Sequence, residues 1–273
     1  MWLRDSLPQS AAGVQVFLYG YDAEFRDVDG PTSVESIAIS LISGLRGIGQ
    51  SSLSAKPVVF LAHSLGGLVL KQCLIELANA GQSEMFMLQR VKACVFLAVP
   101  NRLPGPGELA AMVSSERFGG LLRELQAARN VGYISSMSGM LAGVAQANQI
   151  RLCSGYETME TAITKPTHHS TAGGTQRSAR ILDKEESIQD GSQHWDQFPI
   201  AKDHRNAIRL QSGSQTIETI VEYVREAAES VSAPSAGLKG ASEGPARWPS
   251  LFSTSWTGIA SYFKPSTKGL LTT

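Results

Sequence analysis

The stretch from Pro57 reads PVVFLAHSLGGLVLKQCL and sets one serine between an apolar run and a pair of glycines. A serine hydroxyl is inert at neutral pH unless a base takes its proton and a third group orients that base. Val58 to Ala62 is short, rich in β-branched residues and opened by a proline, as a buried parallel strand is. From Gly67 onward Leu68, Cys73, Leu74 and Leu77 recur at helical spacing, with Lys71, Gln72 and Glu76 between them. Ser64 is therefore predicted at a sharp turn from strand to helix, its hydroxyl pushed above the sheet. The free N–H groups and positive dipole end of the helix stand behind it. Attack on an acyl carbon needs both features. Leu65 N–H is the expected oxyanion donor, and Gly66 and Gly67 let the backbone pass close to the strand. The G-x-S-x-G signature of this turn reads Ala62-His63-Ser64-Leu65-Gly66, with a small alanine in the first glycine's place. The plainer alternative is a serine that caps a buried helix.

Five histidines compete for the role of base. His63 adjoins the serine, but strand alternation points it to the other side, which makes it structural. His168 and His169 stand in a Thr/Ser/Gly-rich segment and read as solvated loop residues. His194, beside Trp195, is ambiguous. His204, in AKDHRNAIRL, follows the last strand-like run and precedes helix-forming sequence, which is where α/β hydrolases keep their base in the order Ser, acid, His. The competing reading makes His204 a surface or N-cap histidine beside Asp203.

These residues need a scaffold, and four strand-like runs alternate with helical ones to provide it. The runs are Val14 to Tyr21, Val58 to Ala62, Val91 to Val99 and Gln149 to Tyr156. Helical spacing covers Ser33 to Leu45, Leu65 to Ala80, a long Leu/Ala/Met-rich segment from Gly107 to Gln146, and Gln215 to Val231. Such alternation predicts an α/β fold, a mainly parallel sheet flanked by helices with Ser64 at the end of a central strand. Residues 161–193 turn polar and form a loop-rich insertion into a domain of residues 1–231. Residues 232–273, rich in Ser, Gly, Pro and Lys, are expected to be a disordered tail.

Lys and Arg together number 24, as do Asp and Glu, so net charge points to neither nucleic acid nor an anionic membrane. Cys73, Cys94 and Cys153 lie in apolar stretches, and an odd, unclustered count is neither a disulfide framework nor a zinc site. MWLRDSLPQS is too polar for a secretory signal, and no apolar run reaches spanning length. With 273 residues and 42% hydrophobic content the chain is expected to be a soluble intracellular protein, cytoplasmic by default. No metal or nucleotide motif occurs, so no cofactor is expected.

WLRDSLP, YGYDA, PVVFLAHSLGGLVLKQCL, GYET and KDHRNAI follow one another as in a serine esterase-like, lipase-like α/β-hydrolase family. Its domains often open fungal NACHT and repeat-containing signalling proteins. The resemblance covers about Trp2 to Val231. It implies a serine hydrolase acting on a small-molecule or lipid ester, with Ser64 as nucleophile and His204 as base. For the acid it implies Glu157, at the end of the strand closing in YET, with Asp183 in ILDKEES as competitor. It also implies an association with a membranous organelle, mitochondrion or ER, and signalling-protein partners. Two departures stand out. The family's first strand, ending in His-Gly and supplying a second oxyanion donor, is missing, so the domain is expected to be truncated in the middle of its sheet. The family's Gly-Thr-Pro-His-Arg-Gly run is here Ala98-Val99-Pro100-Asn101-Arg102-Leu103. A catalytically degenerate domain serving signalling or protein interaction is the alternative function.

Overall fold

The computed structural model describes residues 2–21, 33–51, 56–102, 104–105, 132–163, 177–188 and 195–232. Residues from 233 on, His168, His169 and His194, and most of the 107–146 and 161–193 segments lie outside them. Two short helices, α1 (Trp2–Asp5) and α2 (Leu7–Ser10), precede α3 (Val34–Ser51). Then come β1 (Val58–His63), α4 (Leu65–Asn79), α5 (Gln82–Leu88) and β2 (Val91–Leu97). Next are α6 (Tyr133–Asn148), β3 (Arg151–Glu157) and the antiparallel pair β4 (Thr161–Ile163) and β5 (Arg177–Ala179). The described chain closes with α7 (Lys184–Ser187), β6 (Trp195–Ile200), a 3-10 turn (His204–Asn206) and α8 (Gln215–Ser232).

The main sheet has the order β1-β2-β3-β6, with every pair parallel. A parallel sheet is stable when both faces are covered, and here helices cover both. On one face Ala93, Val95 and Leu97 of β2 join Cys153 and Ile200 and meet Ile217, Ile220 and Val221 of α8, with Trp2 and Leu7 completing the cluster. Each such aliphatic side chain contributes about 1.5–3 kcal/mol when fully buried. Phe96, the alternate residue of β2, points the other way and lies within 5.7 Å of Lys71 Nζ on α4, whose helix packs in turn on α3 and α6. Because all four strands run in one direction, the ends of β1, β2, β3 and β6 meet at one edge of the sheet. Ligand sites of open α/β sheets form at that edge.

Three expectations change. Val14 to Tyr21 is not a strand: it is unpaired, with Val16, Phe17, Leu18 and Tyr19 all exposed. β propensity alone supplies no ladder partner, and Tyr19 donates instead to the Ile37 carbonyl of α3 at 3.1 Å. Consequently β1 is the edge of the sheet among the described residues, where a central strand is expected. The place at the other edge belongs to β6, WDQFPI, which no alternating pattern announces; a proline is tolerated there because an edge strand has one neighbour only. Lys71 and Gln72, polar residues between the apolar positions of α4, are buried, since α4 is enclosed by the sheet, α3 and α6.

Candidate active site

Ser64 sits between β1 and α4 with φ 52° and ψ −132°. A non-glycine residue in this region stores on the order of 1–3 kcal/mol of strain, which the surroundings must hold. They do so from both sides. Ser64 N donates to Leu97 O at 3.1 Å, continuing the β1–β2 ladder, and Gly67 N donates to Ser64 O at 3.0 Å. A Cβ on Gly67 would lie 2.3 Å from both methyls of Val99, so glycine is required there, whereas Gly66 meets nothing nearer than Tyr21 Oη at 3.9 Å. The close approach expected of both glycines belongs to Gly67 alone. Leu65 opens α4, so its N–H is among those without an acceptor in the helix.

Across the edge of the sheet, 140 residues further on, His204 Nε2 stands 2.8 Å from Ser64 Oγ. The other ring nitrogen, Nδ1, is 2.8 Å from Glu157 Oε2 at the end of β3. Glu157 Oε1 accepts backbone N–H bonds from Ile181 at 2.7 Å and Leu182 at 2.9 Å. With Oε1 so occupied, Nδ1–H donates to Oε2 and Nε2 is left as the acceptor for the serine proton. Both His204 and Glu157 are buried. Isolated buried charges are expensive, and this carboxylate has two amides and an imidazole around it.

The backbone of His204 is held as firmly as its ring. His204 N donates to Thr161 Oγ1 at 3.0 Å, and the His204 carbonyl lies 2.8 Å from His63 Nε2. Asp203 caps the 3-10 turn, its Oδ1 accepting from Asn206 N at 3.0 Å, and makes no bond to the His204 ring. Burial, and next to it the neighbouring His204, pushes the His63 ring down to about 4. His63 is thus neutral at pH 7 and donates Nε2–H to that carbonyl. It turns toward the base and buttresses it, contrary to the expectation from strand alternation.

Asp183 is not brought to His204. It precedes α7, where Asp183 N donates to Glu186 Oε2 at 2.9 Å and its exposed carboxylate faces Arg180. Ile181 and Leu182, just ahead of it, turn their amides onto Glu157. Thr161 and those two amides escape a sequence search, because a threonine and a backbone N–H carry no motif.

The three cysteines are free, and burial pushes the Cys73 and Cys153 thiols up to about 12, which leaves them unreactive. Among the described residues no group of His, Cys, Asp or Glu could hold a metal ion, and no helix is long and apolar enough to cross a membrane.

No family model matches the chain. Over 102 residues, 37% of its length, it is 26% identical to Protein SERAC1 of Bos taurus, of which the match covers 15%. Over 167 residues, 59% of its length, it is 23% identical to Protein SERAC1 of Danio rerio, of which the match covers 25%. The chain spans a quarter or less of the curated relatives it matches. Among solved structures it is similar to phospholipase PlaB from Legionella pneumophila in complex with thio-NAD. That likeness has a TM-score of 0.39 and 19% identity over 57% of this chain and 33% of the phospholipase.

Proposed function

We propose that the chain is a serine hydrolase of the α/β-hydrolase type that cleaves a carboxylic ester through an acyl-enzyme on Ser64. The observation that carries this reading is the contact of Ser64 Oγ with His204 Nε2 at 2.8 Å, backed by Glu157 on Nδ1 at 2.8 Å. In the first half-reaction Ser64 Oγ bonds to the carbonyl carbon while its proton passes to His204 Nε2. The tetrahedral oxyanion accepts from Leu65 N–H, and the bond to the alcohol breaks as the leaving oxygen takes the proton from Nε2. In the second, water gives a proton to Nε2 and its oxygen adds to the acyl carbon. The bond to Oγ then breaks, Oγ recovers the proton, and the acid departs. Glu157 keeps Nδ1 protonated throughout and stabilises the imidazolium that forms twice. A small-molecule or lipid ester is the substrate class, on the strength of the sequence resemblance to serine esterase-like domains. Signalling partners and a membranous organelle rest on the same resemblance, and the intracellular setting on the unclustered, odd cysteine count.

One observation favours the alternative of a degenerate interaction module: among the described residues the strand leading to Ser64 is an edge strand, and the apolar run Val16 to Tyr19 is exposed. Labelling with a fluorophosphonate probe decides between the two. The native chain is expected to label and Ser64→Ala to remain blank. Equal labelling of both, or none of either, would remove Ser64 from any covalent mechanism.

A further inference from the structure

Asn101 stands where the resembled family has a histidine, at the end of the Ala98–Asn101 loop that leaves β2. It is buried and touches neither Ser64 nor His204. Its polar atoms reach in two directions. Oδ1 accepts from Lys71 Nζ on α4 at 2.6 Å and lies 3.1 Å from Ser138 Oγ on α6. Nδ2 donates to Ser187 O at 2.7 Å, and Asn101 N donates to Glu186 O at 2.6 Å. Lys71 is fixed as well, by bonds to Pro100 O at 2.9 Å and Ser138 Oγ at 3.0 Å.

Glu186 and Ser187 belong to α7, and Ile181 and Leu182 stand just ahead of its N-cap, Asp183. Both are fully buried and give their amides to Glu157 Oε1. The segment 181–187 is therefore tied at one end to Glu157 and at the other to Asn101. Through Lys71, Asn101 is tied to the helix that begins beside Ser64. Any slide of α7 relative to β3 would withdraw the amides from Oε1 and let the carboxylate turn away from Nδ1.

We propose that Asn101 is a positioning residue: by holding α7 to α4 and α6 it keeps the Ile181 and Leu182 amides on Glu157, and thereby keeps Glu157 on His204. Its bearing on rate rests on the serine-hydrolase reading; its bearing on the Glu157–His204 contact does not.

Asn101→Asp is the discriminating variant. It keeps an acceptor for Lys71 and Ser138, now as an ion pair, but loses the donor to Ser187 O and sets a carboxylate oxygen against that carbonyl. Two readouts are taken on the full chain: the downfield proton resonance of His204 Nδ1–H, and the rate of fluorophosphonate labelling at Ser64. The variant is expected to unfold cooperatively like the native chain, to lose or broaden the resonance, and to label at least about tenfold more slowly, as misorientation of a reacting pair implies. Should the new carboxylate unfold the chain, Lys71→Met/Asn101→Ala, which removes both buried partners together, carries the same readouts. A folded variant with resonance and labelling at native values overturns the proposal, as does a native chain lacking the resonance. A native chain that does not label, but whose resonance the variant loses, supports the positioning role and overturns the hydrolase reading instead.

Discussion

His63 and His204 lie with ring centroids 5.4 Å apart, and the first donates to the backbone carbonyl of the second at 2.8 Å. One imidazole thus serves as a fixed support while its neighbour is free to exchange protons at Nε2. Burial keeps His63 neutral, while Glu157 stands against Nδ1 of His204.

That neutrality has a pH signature. The His63 ring titrates near 4 in the fold against an ordinary value of 6.5, so the unfolded chain binds more protons between these limits. Its contribution is fully present above about 6.5, falls as pH drops toward 4, and is constant below. His63→Gln, with an amide donor for the same carbonyl, is expected to lack that fall while keeping Ser64 labelling within about tenfold of native. His63→Ala is expected to lose more. Urea unfolding at pH 4.5 and 7 checks the first statement, and labelling rates check the second.

Glu157→Gln keeps an oxygen for the Ile181 and Leu182 amides but turns an N–H toward Nδ1, which forces the ring into the other tautomer. Ser64 then faces a donor where it needs an acceptor. Labelling and ester hydrolysis are expected to fall by about 10⁴-fold with little change in stability, the scale found when a triad aspartate becomes asparagine. Asp183→Asn, on an exposed carboxylate away from the ring, is expected to leave the rate unchanged.

Gly67→Ala drives a methyl into Val99 at 2.3 Å, and overpacking of this kind costs about 1–3 kcal/mol. Gly66→Ala has room and gains helix propensity, so it is expected to be neutral or mildly stabilising. Thermal unfolding of the two variants should separate them, and Val99→Ala should restore much of the loss in Gly67→Ala.

Lys71 is buried with no carboxylate of the described residues beside it, and burial pushes its ammonium down to about 7 from 10.5. The surroundings satisfy both forms. The ammonium donates to Pro100 O, Asn101 Oδ1 and Ser138 Oγ, while the neutral amine donates to the first two and accepts from the serine hydroxyl. Between pH 7 and 10.5 the unfolded chain carries the extra proton. Stability is therefore expected to rise with pH across this window relative to Lys71→Met, and the difference to be flat below 7. Denaturant titrations of the pair at pH 6, 7, 8.5 and 10 test the slope.

What could be read from the sequence was whatever is encoded locally. The apolar run ending at Ala62, the two glycines and the helical spacing beyond them put Ser64 at its turn; the runs around Val95 and Cys153 gave β2 and β3. His204 stands out by motif order, and Glu157 only through the family resemblance, with Asp183 as competitor; in the structure His204 Nε2 lies on Ser64 and Glu157 on His204 Nδ1. Asn101 is visible in the sequence only as a departure from the resembled family; what it does there is not legible, since its partners are 30, 37 and 86 residues away. Lys71 reads only as a polar residue between apolar ones, and its burial follows from the enclosure of α4, which the sequence around it does not encode. β6 escapes notice because its buried residues, Trp195, Phe198 and Ile200, do not alternate regularly. Val14 to Tyr21 fails for the opposite reason: its composition suits a strand, but pairing is a property of the neighbour as much as of the segment.

The edge position of β1 has a consequence for amide exchange. Val58 N and Ser64 N point to β2, donating to Arg90 O and Leu97 O, so the N–H groups of alternate residues Val59, Leu61 and His63 point the other way. Among the described residues nothing accepts from them. Deuterium uptake along the strand that leads into Ser64 should therefore oscillate with a period of two, fast at odd positions and slow at even ones. Occupation of that open edge, by any strand from any source, would silence the oscillation residue by residue.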